Sequence, residues 1–126
     1  MQYEIWKCPM SCRYKFMGSD FIKERGEQIT IEDYVYVYGG EIDTDEYVFA
    51  DIYELLEHLF YIFNEDHPCD YHSSSMSTSD IIRLPQTNEF YYVDFIGFKP
   101  LDYNKSNNKL NFKVRSGYYR REINEY

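Results

Sequence analysis

The chain has 126 residues, of which 44% are hydrophobic and 20% aromatic, so one domain with a self-sufficient core is expected and a disordered acidic tail is excluded. No apolar run reaches the ~18–20 residues of a membrane span; Met1–Lys7 lacks the basic-then-apolar start of a signal peptide; and three cysteines, Cys8, Cys12 and Cys69, show no disulfide-framework spacing, which suits a reducing cytoplasm. The net charge is −9, and residues 27–98 hold sixteen Asp/Glu against a single basic residue, Arg83, between two sections of net positive charge.

In chain order, Gln2–Lys7 reads as a strand with Tyr3 and Ile5 on one face and Trp6 on the other, ended by Pro9. Phe16, Met17, Phe21 and Ile22 recur at roughly helical spacing, with Ser11 as a candidate cap and Gly26 just past the end. Tyr34–Tyr38 is β-branched or aromatic throughout and reads as a strand, its three tyrosines on one face. Gly39-Gly40 then predicts a turn, with Glu41-Ile42 pairing back. Ile52, Leu55, Leu56, Leu59, Phe60, Ile62 and Phe63 form a wide apolar stripe and predict a helix over 51–63, opened by an Asp51/Glu54 capping box and closed near Asn64 before Pro68. Residues 65–79 read as loop. Asp80–Leu84 and Phe90–Phe95 read as a hairpin around a turn at 85–89, and Lys109–Arg115 as a last strand. The elements do not alternate, so the expected class is α+β: a mostly antiparallel sheet packed against one long helix, with a second short helix. The whole of 1–126 is expected to be one domain.

Several groups carry candidate chemistry. Cys8, Cys12, Cys69 and His72 have the donor types of a tetrahedral zinc site, but the two halves lie far apart in sequence and three reduced thiols are the favoured reading. Cys69 with His67 or His72 and Asp70 would be a thiol nucleophile, a geometry that sequence neighbours rarely meet. Ser75, Ser77, Ser79 and Asp80 invite a nucleophile reading; satisfaction of local backbone groups is the commoner role. Asp43, Asp45 and Glu46 lack the EF-hand pattern. No cofactor, no metal and no catalytic residue is therefore assigned. The expected contact residues are carboxylates before the helix (Glu41, Asp43, Asp45, Glu46) and after it (Glu65, Asp66, Asp70), together with the basic aromatic tail Tyr118, Tyr119, Arg120 and Arg121. The negative middle argues against direct nucleic acid binding and for a protein partner with a basic surface.

The run His67-Pro68, then Ser75-Met76-Ser77-Thr78-Ser79-Asp80-Ile81-Ile82, then Tyr91-Tyr92-Val93-Asp94 and Gly97-Phe98 resembles the YodL-like domain family. Tyr34–Tyr38 and the helix with Leu55, Leu56 and Phe60 also fit, so the resemblance covers roughly 30–101, with 102–126 as a C-terminal extension. Thr78 stands where Val is usual and Phe95 where Ser is common. The resemblance implies a module carried by phages and conjugative elements of Gram-positive bacteria, with no catalytic residue to carry over. It points to a cytoplasmic, non-catalytic inhibitor of a host defence nuclease, of anti-CRISPR or antirestriction type, whose partner would be a CRISPR effector or restriction nuclease. The alternatives are a general interaction module of bacterial complexes and a small metal- or thiol-dependent enzyme.

Overall fold

The computed structural model describes residues 1–113. Its first strand is β1 (Gln2–Lys7), whose alternation of Tyr3 and Ile5 with Trp6 sends side chains to both faces of a sheet, as the period-2 pattern predicts. The remaining strands are β2 (Ile29–Thr30), β3 (Val35–Glu41), β4 (Ile81–Leu84), β5 (Glu89–Val93), β6 (Phe98–Asn104) and β7 (Lys109–Phe112). They form one sheet in the order β2-β7-β6-β5-β4-β1-β3, and every pairing is antiparallel. Two helices join it, α1 (Ser19–Arg25) and α2 (Ile52–Glu65). The class is α+β, as expected.

Both sheet faces are covered. On one, Leu55, Leu56, Leu59 and Phe63 of α2 share a cluster with Tyr3, Ile5, Ile82, Leu84, Tyr91, Val93 and Phe98. Each such side chain contributes roughly 1.5–3 kcal/mol by leaving water. On the other, Tyr14, Ile22, Ile29 and Tyr34 cover Ile81, Phe90, Tyr92, Leu101 and Leu110. Helix α2 begins where the capping box places it. The Asp51 side chain accepts from the Glu54 N–H at 3.0 Å, while Glu54 reaches the Ala50 N–H rather than that of Asp51.

Three expectations are corrected. Helix α1 starts after Gly18, not at Ser11, because residues 10–16 fold into turns; Gly26 does close it, in the left-handed conformation. Gly39-Gly40 is not a turn, since β3 runs through both residues. They lack side chains because a Cβ on Gly39 would meet the Tyr36 hydroxyl at 2.2 Å, and one on Gly40 the Tyr3 hydroxyl at 2.5 Å. A bulge at Val37 breaks the tyrosine face: Tyr36 pairs with Trp6, whereas Tyr38 pairs with Ile5 and packs on the α2 side. Strand β6, at residues left unassigned by the sequence pattern, holds Pro100 inside the sheet. The Pro100 carbonyl accepts from Lys113 just past the end of β7, so its missing N–H falls where that ladder stops.

Candidate binding surface

The motif between Ser75 and Phe98 is a clasp for the segment ahead of α1. Asp80 is fully buried. Its carboxylate takes Lys7 Nζ at 2.6 Å, the Cys8 N–H at 3.0 Å and the Ser77 N–H at 2.8 Å, with Lys15 Nζ at 3.7 Å. Ser79 has φ of 86°, and the neighbours hold it there: its hydroxyl accepts from the Phe16 N–H and its carbonyl from the Tyr34 hydroxyl. Asp94 accepts from the N–H and the hydroxyl of Ser19, fixing the first turn of α1, and the Tyr92 hydroxyl donates to the Met17 carbonyl. Ser79 and Asp80 thus serve backbone and lysine groups, and the Ser75 carbonyl accepts from Lys7 Nζ.

The cysteines do not gather. Cys8 is buried beside Cys12, and burial, reinforced by the neighbouring Cys12 thiol, pushes its own thiol up to about 12, which keeps it protonated at neutral pH. Cys69 is exposed in the loop after α2, and His67 Nδ1 lies 2.9 Å from the Pro68 carbonyl oxygen. Among the described residues, no group of three or more His, Cys, Asp or Glu side chains is placed to share a metal.

The predicted acidic residues fall at the two ends of α2, which at fourteen residues is about 21 Å long. Glu41 closes β3, and Asp43, Asp45 and Glu46 follow in an exposed turn built on Asp43, whose Oδ1 accepts from the Asp45 and Glu46 N–H groups. Glu65 ends the helix, Asp66 caps it, and Asp70 accepts from the Tyr38 hydroxyl at 2.8 Å. Two carboxylates outside the predicted contact set, Glu54 and Glu57, connect the two groups. Glu54, Glu57 and Glu65, with exposed Tyr61 between them, line the solvent side of α2 at spacings of three and four residues. The signal was present in the periodicity, as the polar complement of the apolar stripe. The result is an anionic ridge running the length of the helix. Among the described residues, none of these carboxylates is in an ion pair. Arg83 is held instead by Glu4 at 3.0 Å and by Asn88. The tail residues Tyr118, Tyr119, Arg120 and Arg121 lie outside the described residues.

The ridge is not laid out for stability. Asp51 and Glu54 sit favourably at the positive end of the helix dipole, but Glu65 and Asp66 sit at its negative end with no basic residue in the last turn, each costing about 0.3–1 kcal/mol. Glu54 and Glu57 are like charges three residues apart.

Among the described residues, no helix is long and apolar enough to cross a membrane. The family model of the YodL-like domain matches residues 2–103. No curated protein and no solved structure shows a significant match. With four fifths of its length matched, the chain belongs to the YodL-like domain family. The match starts upstream of the resemblance at 30–101, and within the added part Lys7, Phe16, Met17 and Ser19 are hydrogen-bonded to Asp80, Ser79, Tyr92 and Asp94.

Proposed function

We propose that this YodL-like protein is a non-catalytic binding protein of a mobile genetic element, which inhibits a host defence nuclease by docking the carboxylate ridge of α2 on a basic surface. The ridge carries the reading: it runs the length of the helix, forms no ion pair among the described residues, and ends in Glu65 and Asp66, where the helix dipole opposes it. CRISPR effectors and restriction nucleases handle nucleic acid in basic channels, and spaced carboxylates can take the place of phosphates there. The test is a salt titration of affinity for a purified CRISPR effector or restriction nuclease, with nuclease activity measured alongside. Affinity should fall steeply as salt rises; affinity indifferent to salt would rule out the charge-driven mechanism.

A second reading, an interaction module of bacterial complexes, is favoured by the opposite character of another end of the molecule. Phe16, Phe21, Phe95 and Ile96, which flank Ser19 and Asp94 in sequence, are 49, 52, 68 and 82% exposed, and exposed apolar side chains that group into a patch mark contact sites. Affinity capture separates the two readings: recovery of structural or cytoskeletal proteins without a nuclease, lost in Phe95→Ser with Ile96→Ser, would favour the second.

A further inference from the structure

The two ends of α2 are alike in charge but not in shape. Ahead of the helix, the acidic turn encloses a cavity of about 290 Å³, whose walls are chiefly apolar: Met1, Tyr47, Val48, Phe49, Ile52 and Leu55. Leu55 is 2% exposed and belongs to the core, whereas Val48 at the lip is 87% exposed. One wall is fixed, because the Tyr47 ring stacks on Phe49, with centroids 6.3 Å apart, and both rings pack on His58. The turn is fixed as well, by the Asp43 side chain and by the Tyr47 N–H donating to the Asp43 carbonyl. Asp43, Asp45 and Glu46 are exposed in this turn, and Asp51 lines the cavity itself. The end behind the helix is built differently. There Tyr38, Phe63 and Tyr71 close on one another edge to face, and Asp70 is tied to Tyr38.

An open apolar socket inside an acidic rim selects its occupant by charge. A second copy of this chain meeting the socket with the same face would bring a matching set of carboxylates against the rim, since residues 27–98 hold sixteen Asp/Glu and one basic residue. An apolar segment without charge would leave the surrounding carboxylates unanswered. We propose that the socket receives one apolar side chain, aliphatic or aromatic, from a partner segment in which Lys or Arg residues flank that anchor. The inference rests on the acidic-ridge reading and refines it, placing the specific contact at the N-terminal end of α2 and leaving the C-terminal end to long-range attraction.

The test uses the full chain and two peptides with blocked ends, Arg-Lys-Phe-Lys-Arg and its counterpart with Ser in place of Phe, titrated at low salt and followed by amide NMR shifts. Val48→Asp is the decisive variant: Val48 is exposed, so the fold should persist (checked by thermal melting), and the change adds negative charge while spoiling the apolar lip. The Phe peptide should bind at least about fivefold tighter than the Ser peptide, with shifts centred on Tyr47, Val48 and Ile52, since burying an aromatic side chain exceeds that ratio even when incomplete. Val48→Asp should weaken the Phe peptide about fivefold. Equal affinities, a gain of affinity for both peptides in Val48→Asp, or shifts centred on Glu65–Asp70 would each overturn the anchor while leaving the charge-driven reading intact. Failure of both peptides to bind at low salt would overturn both.

Discussion

Two populations of carboxylate share this molecule, and they behave in opposite ways. Asp80 and Asp94 lie within the sheet-and-loop interior and at its edge, and their oxygens hold lysines, backbone N–H groups and a serine hydroxyl of the segment ahead of α1. Glu54, Glu57, Glu65 and their neighbours on α2 stand in water without cations. The first population holds the fold together, with Asp80 fully buried and Asp94 partly so. The second contributes nothing favourable at the C-terminal end of α2 and is free to meet one. An acidic composition therefore says little until each carboxylate is placed.

The sharpest break of this contrast is Asp80→Ala, which leaves Lys7 buried without its counter-ion. Stability should drop by about 3–5 kcal/mol in urea unfolding, where a comparable truncation on the α2 ridge costs almost nothing. Alkali should attack the same interior. Burial raises Tyr3 and Cys8 from ordinary values of 10.0 and 9.0 to about 12 in each case. The folded state therefore holds protons that the unfolded state releases. Their contribution is complete below about pH 9 and is lost as pH climbs towards 12; a unfolding profile flat across that window would contradict it. Asp94→Ala should cost about 1–3 kcal/mol by leaving the Ser19 N–H and hydroxyl unsatisfied, read as an earlier loss of α1 in hydrogen exchange. On the ridge, Glu54→Gln, Glu57→Gln and Glu65→Gln together should reduce affinity for a basic partner by about tenfold, shallow its salt dependence and leave the melting temperature almost unchanged. The smallest effect runs the other way. Glu65→Lys should stabilise the protein by about 0.3–1 kcal/mol through the helix dipole, measured by thermal denaturation.

How much of this was legible follows from which interactions are local. Helix α2 was readable because its apolar stripe and the Asp51 cap lie within one segment. The hairpin of β4 and β5 was readable because two runs of β-formers flank a turn. The ridge could have been read from the same periodicity, taken from its polar side. The roles of Ser79 and Asp80 could be narrowed to backbone service, but not their partners: Lys7 and Cys8 lie more than seventy positions from Asp80, and Phe16 lies 63 from Ser79.

The sequence alone determined the elements that a few neighbouring residues decide, and the excess of carboxylates over cations between residues 27 and 98. Tertiary structure decided the rest. The path of β3 through Gly39-Gly40 depends on Tyr3 of β1, which needs the space a Cβ would fill, and the place of Pro100 within β6 depends on where β7 stops. The socket, too, exists only once Met1, Val48 and Leu55 are brought together. The physical reason is common to all three: periodicity and capping are satisfied within a turn of chain, whereas steric room, ladder ends and cavities are properties of segments that meet only after folding.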